Sequence, residues 1–297
     1  MGPASSDTVT EVEGRRIKLS NLDKVLYPRT GFTKADVVHH YVQAAGVLLP
    51  RLADRASSLL RWPDGVEGES FFAKNAPPGT PDWVRTEEVT RERTTVRHVV
   101  VDDLPTLVWV ANLAALELHV PQWRLRTGLA DLMVLDLDPG PPATVVECCA
   151  VALDARAALA GAGLTLWPVT SGSKGLHLYA PIRPTPSEQV SQYAKALAQA
   201  LEATAPDRVV HRMTKSLRPG KVFVDWSQNN AAKTTIAPYS LRGRELPTVA
   251  TPVTWAEVES CRRPEDLRFL AADLPGRLDR HGDLLTDMAD AAAPLPT

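Results

Sequence analysis

Long apolar runs are missing from this chain: nowhere in its 297 residues does one approach the roughly 20 needed to span a bilayer. No membrane partner is expected. Cysteine is scarce too. Cys148 and Cys149 are adjacent and Cys261 is distant, a spacing that fits neither a disulfide framework nor a zinc site. The adjacent pair falls in an Ala/Val-rich helical stretch and reads as buried filler, which points to a reducing cytoplasm. A secretion signal is lacking, since MGPASSDTVTEVEG has neither a basic nor an apolar region. Residues 1–14 read as a disordered leader. Excess charge is lacking as well: the net charge of −2 means that any contact with nucleic acid must come from local basic patches.

What is present is an ordinary globular balance, 44% hydrophobic and 23% charged, enough for one large domain or two small ones. Neither an internal repeat nor a linker interrupts residues 15–288, which read as one catalytic domain followed by a flexible tail over 289–297. Thr33 is placed to cap a helix beginning at Lys34. Short strands punctuated by Pro and Gly fill 59–97, and helices are expected near 104–116, 143–161 and 187–204. Between them lie the extended segments ELHVPQW, LMVLDLD, LHLYAPI and VFVDWS. The irregular alternation predicts an α/β (α+β mixed) fold, with central mixed sheets flanked by helices.

The most informative segment is Asp131-Leu-Met-Val-Leu-Asp136-Leu-Asp138-Pro-Gly140. On a strand, Asp136 and Asp138 leave the same face about 7 Å apart. They would raise each other's pKa unless a cation lay between them, and oxygen ligands favour Mg²⁺ or Mn²⁺. A solvated strand end with one Asp capping the turn is the bland alternative.

Two further segments add to it. The loop Thr170-Ser171-Gly172-Ser173-Lys174-Gly175 offers backbone N–H groups, hydroxyls and a positive charge suited to a phosphate chain, without Walker A spacing. His177 follows on an apolar strand. Asp225, in an apolar strand of its own, is costly to bury without a partner or metal. It is flanked by Arg212, Lys215, Arg218 and Lys221, then by Lys233, Arg242 and Arg244. Taken singly, the loop could be a simple turn and the basic run a solvated surface. Together, three carboxylates, a phosphate-type loop and several arginines suit nucleotidyl transfer. In that chemistry two cations about 4 Å apart activate a 3′-hydroxyl and stabilise the pyrophosphate.

DLDPG, SGSKGLHLY, TKSLRPGKVFVDWSQN and KTTIAPYSLRGR resemble the motifs of the polymerase domain of bacterial LigD, the non-homologous end-joining ligase. That family lies within the archaeo-eukaryotic primase superfamily, and a free-standing Prim-PolC-like member is the variant form. The resemblance runs from Ile17 to Leu285. It implies a primase-polymerase core in which Asp136, Asp138 and Asp225 bind two metal ions, Mn²⁺ or Mg²⁺. Lys174, Arg218, Gln228 and Arg242 would contact the triphosphate or its metal. His119 and Ser171 would lie near the sugar, with His177 in the same nucleotide site. Asn21, Lys24 and Lys34 match a pocket for a 5′-phosphate on the downstream strand.

Phe71 and Phe72 match paired aromatics that stack on the template, and Lys74 could add a backbone contact. Neighbours on one strand point to opposite faces, so at most one of the two phenylalanines should belong to the core. Arg91, Arg93 and Arg97 fall where that family carries an end-bridging hairpin, here compact and mixed in charge. The segment between Trp123 and Asp136 is short for the family, which makes gap filling the firmer expectation than end synapsis.

The implied activity is template-dependent addition of NTPs or dNTPs to a 3′-hydroxyl at gaps or broken DNA ends, in end joining. A Ku-type end-binding protein and a DNA ligase are the implied partners, in a cytoplasmic protein that joins the nucleoid when on DNA. An excision-repair gap-filling polymerase is the alternative in the same class. A non-catalytic DNA-end-binding scaffold is the alternative of another class, disfavoured by the intact carboxylate triad.

Overall fold

The computed structural model describes residues 7–91 and 93–296. They form a mixed α/β fold of several sheets and six α-helices, divided into two compact units. One comprises the residues up to Val120 with Ile236–Val249 and Leu270–Pro275. The other comprises Pro121–Thr235, Ala250–Phe269 and Gly276–Thr297. Residues 15–288, expected to form one catalytic domain, contribute to both units, each assembled from separated stretches of chain. Among the described residues, no helix is long and apolar enough to cross a membrane.

The second unit is built on a five-stranded sheet. Its spatial order is Trp167–Thr170, Leu176–Thr185, Ala130–Pro139, Val222–Asp225, Val209–Val210, antiparallel except for the last pair. Ala130–Pro139 is therefore the central strand. Met133, Leu135 and Leu137 alternate along it with Val134, Asp136 and Asp138, so the two sets leave opposite faces. All three of the first set are fully buried. Helices Val145–Gly161 and Ser187–Thr204 pack on this sheet. The first begins at a capping box in which Thr144 and Glu147 satisfy each other's backbone N–H groups.

In the first unit, helix Lys34–Leu52 starts at the expected cap: the Thr33 side chain accepts from the Asp36 N–H, and the Asp36 carboxylate accepts from Thr33. It packs on the short apolar helix Leu104–Asn112. A four-stranded sheet runs Thr235–Ile236, Ala115–Val120, Ser58–Arg61, Phe71–Ala73, with the last at its edge. A separate hairpin pairs Thr86–Arg91 with Thr94–Val99, and Arg91, Arg93 and Arg97 are exposed on it.

Among the described residues, parts of both segments expected to be flexible are paired. Residues 1–6 lie outside the described residues, but Thr8–Val12 is a strand paired antiparallel with Arg15–Leu19. Glu13 and Gly14, both at positive φ (47° and 76°), make the two-residue turn that suits strand twist. Ile17 and Leu19 anchor the hairpin against Val108. The tail is tied down too: Arg183 N–H donates to the Ala293 carbonyl at 2.9 Å, and Ala293 N–H to Pro181 at 3.4 Å.

Candidate active site

The central strand brings the expected carboxylates together by register. Asp136 pairs with Asp225 on one side and with His177 on the other, so the three side chains form one rung on one face. Asp138 is the next residue on that face, opposite Phe223. Asp225 closes its strand rather than sitting within it, and there it caps a 3₁₀ turn, Trp226–Asn229. One Asp225 oxygen accepts from the Ser227 N–H and hydroxyl.

The 3₁₀ turn is docked on the central strand by Asn229, 2% exposed, whose amide bonds both backbone groups of Val134. That seating carries Gln228 across the rung. Its Nε2 lies 3.1 Å from Asp225 Oδ2 and 3.4 Å from Asp136 Oδ2. His177 Nε2 faces Asp136 Oδ1 at 3.3 Å. Lys233 completes the surround: its Nζ donates to Ser227 Oγ and lies 3.7 Å from Asp225 Oδ2. Its membership of this cluster was invisible in the sequence, where it was one cation in a basic run.

Among the described residues, no three His, Cys, Asp or Glu side chains are already assembled to hold a metal ion. Asp136 and Asp225 are turned to Gln228 instead. The donor set nevertheless fits a hard divalent cation. Asp138 reaches solvent at the rim but is crowded by protein. Lost hydration, then the charges of Asp136 and Asp225, push its carboxyl up to about 6 against the pull of His177 and Arg218. The mutual repulsion expected of this pair is present, and a cation among the three carboxylates would relieve it.

Two glycines make this convergence possible by backbone contact. A Cβ on Gly175 would stand 2.1 Å from the Leu137 carbonyl oxygen, and one on Gly140 would stand 2.1 Å from the Arg218 carbonyl oxygen. The Pro139-Gly140 stop thus seats the loop that carries Arg218. The Arg218 guanidinium lies 3.7 Å over the Phe223 ring, with Nη2 donating to the Met213 carbonyl.

The SGSKG loop differs from expectation in one respect. Ser171 Oγ accepts from the Ser173 and Gly175 N–H groups at 3.2 and 3.1 Å, so those two donors are spent inside the loop. Ser171 is buried and shapes the loop, whereas Lys174 is exposed.

The other expected residues belong to the first unit. His119 and Arg242 meet on Glu117: its Oε2 accepts from His119 Nε2 at 2.8 Å and from Arg242 Nη1 at 3.1 Å. Burial raises the Glu117 carboxyl, but His119, Arg242 and the Gly243 N–H outweigh it and hold the group below its usual range. The Phe72 ring meets His119 edge-on at 6.1 Å, and Lys74 Nζ sits 5.9 Å from the Phe72 centroid. Neither phenylalanine is core, because their strand is the sheet edge: Phe71 and Phe72 are 52% and 49% exposed.

Asn21, Lys24 and Lys34 are gathered by a tight turn, in which Lys24 N–H donates to the Asn21 carbonyl and Lys34 N–H to the Lys24 carbonyl. Lys34 is buried rather than solvated. Its Nζ donates to the Ser20 carbonyl at 2.7 Å, and burial, then Lys24 and Arg61, push it down to about 8. Lys24 Nζ pairs with Asp64 Oδ1 at 2.7 Å. The clustered cations favour an anion, and Arg61 and Asp64 were not picked out by sequence reasoning.

Known proteins resemble this chain in sequence and fold. The model of the LigD primase-polymerase domain matches residues 33–285. The multifunctional non-homologous end-joining protein LigD of Mycolicibacterium smegmatis is 48% identical over 285 residues, 94% of this chain and 37% of that protein. The bifunctional LigD of Bacillus subtilis is 33% identical over 84% of this chain and 40% of its own length. The chain therefore spans about two fifths of these relatives. Among solved structures, the polymerase domain of Mycobacterium tuberculosis Ligase D, in complex with DNA, superposes with a TM-score of 0.88 at 45% identity. That match covers 93% of this chain and 99% of that one. The chain belongs to the LigD primase-polymerase domain family, metal-dependent nucleotidyltransferases of the DNA-directed polymerase and primase type.

Proposed function

We propose that this chain is a template-dependent polymerase that adds NTPs or dNTPs to a 3′-hydroxyl at gaps or broken DNA ends during end joining. The observation that carries this reading is the rung of His177, Asp136 and Asp225 with Asp138 beside it. Asp136, Asp138 and Asp225 would hold two divalent cations, Mn²⁺ or Mg²⁺. When bound, such cations supply activation of the attacking hydroxyl and neutralisation of the pyrophosphate.

The chain's own residues do the positioning. Gln228 keeps Asp136 and Asp225 a fixed distance apart, and Lys233 balances their charge. Arg218 and Lys174 offer positive charge to a triphosphate. His119 and Arg242, held by Glu117, meet the nucleotide, and Ser171 acts by shaping its loop. Asn21, Lys24 and Lys34 receive the 5′-phosphate of the downstream strand. Exposed Phe71 and Phe72 stack on template bases, worth about 1–3 kcal/mol per base. A Ku-type end-binding protein and a DNA ligase complete the pathway, in the cytoplasm and on the nucleoid.

The test is primer extension on a 5′-phosphorylated gapped duplex with NTPs and Mn²⁺. Extension is expected, and it should vanish in the Asp136→Ala/Asp138→Ala variant. No extension by the wild type, or full activity in the variant, would refute the reading. Comparing one-nucleotide gaps with non-complementary 3′ overhangs separates gap repair from end joining.

A further inference from the structure

We propose that Glu117 is a positioning residue that locks His119 in one tautomer and aims Arg242, so that a preset lone pair on His119 reads a hydroxyl on the nucleotide sugar. This deepens the reading of His119 and Arg242 as nucleotide contacts and rests on it.

Glu117 is 3% exposed, yet both of its oxygens are committed. Oε2 takes His119 Nε2 and Arg242 Nη1; Oε1 takes the Gly243 N–H at 3.0 Å. An ionised carboxylate has no proton to give, so Nε2 must be the donor in its bond to His119. A neutral imidazole carries one N–H, which leaves Nδ1 as an acceptor. Such a nitrogen accepts from a sugar hydroxyl and gains nothing from a deoxy position.

The geometry leaves the carboxylate little slack. Gly243 is seated against Trp62 so closely that a Cβ there would lie 2.2 Å from the ring. Phe72 meets His119 edge-on. Arg242 is fixed from a second direction, since Tyr27 donates its hydroxyl to the Arg242 carbonyl at 2.9 Å. Stability alone does not account for Glu117, because a buried ion pair is no cheaper than apolar packing of the same volume. Presenting two side chains in set orientations does account for it.

The test uses the ¹⁵N-labelled full chain at a pH where the ring is neutral. Long-range ¹H–¹⁵N correlations should show His119 protonated at Nε2 with a bare Nδ1, and Glu117→Gln should mix the tautomers. In primer extension, Glu117→Gln should raise KM for NTP roughly tenfold, the size of one charge-assisted hydrogen bond, with kcat less affected. The ratio of NTP to dNTP efficiency should fall, and adding His119→Ala should lower it to the level of His119→Ala alone and no further. A wild-type Nδ1–H tautomer overturns the proposal even if the variant fails to fold. So does an unchanged NTP to dNTP ratio once the tautomer has shifted. If the wild type extends no primer, the nucleotide reading fails, while the NMR result separately decides whether Glu117 orients His119.

Discussion

Asn229 pairs both ends of its side-chain amide with Val134: Oδ1 takes the Val134 N–H at 2.8 Å, and Nδ2 donates to the Val134 carbonyl at 2.7 Å. A side chain here stands in for a missing strand, and it fixes the height at which Gln228 meets the carboxylates. Asn229→Ala leaves two buried backbone groups unpaired. The expected cost is about 2–4 kcal/mol, read by urea denaturation, with a fall in kcat as Gln228 loses its seat.

Asp138→Asn removes a charge that its neighbours oppose. In chelator at neutral pH the variant should melt at or above the wild type, because ionised Asp138 is repelled by Asp136 and Asp225. Added Mn²⁺ should raise the wild-type Tm and raise that of the variant much less. Differential scanning fluorimetry reads both, and equal metal shifts would remove Asp138 from the ligand set.

His40 governs part of the acid limb. Buried with Nε2 bonded to the Tyr239 carbonyl, it is pushed down to about 4, chiefly by burial. Its folded pKa lies below the unfolded one, so the unfolded chain binds more protons between the two values. Its contribution is therefore complete above about pH 6.5 and is lost as the pH falls toward 4, up to about 3 kcal/mol. His40→Leu should flatten the stability profile across that window.

Lys24 and Lys34 should discriminate a 5′-phosphate from a 5′-hydroxyl. Lys24→Ala is expected to weaken binding of 5′-phosphorylated gapped DNA roughly tenfold. It should lower the slope of log K against log salt by about one, with little change for 5′-hydroxyl DNA. Fluorescence anisotropy across a salt series measures both; equal losses on the two DNAs would make Lys24 an ordinary backbone contact.

The residues that could be read in advance are those whose signal is local. Asp136 and Asp138 share a face because strands alternate, and Thr33 caps its helix because of a partner three residues away. Phe71 and Phe72 were harder, since nothing local says that their strand is an edge. The Thr8–Val12 strand was lost to a polar composition, although Glu13-Gly14 is a recognisable hairpin turn. Glu117, Asp64, Arg61 and Lys233 matter through partners distant in sequence, which register and packing alone reveal. Only Glu117 carried a hint, an acid two residues from a histidine on an apolar strand.

The interleaving of the two units bears on how the chain is made. It passes between them at 120/121, 235/236, 249/250, 269/270 and 275/276. During synthesis from the N-terminus, Glu117 therefore emerges long before Arg242 and Gly243, the groups that neutralise and cap it. The first unit cannot finish its polar interior until most of the second has been translated. A ribosome-bound chain halted before residue 242 should hold that carboxylate exposed to water, and no single cleavage point yields either unit intact.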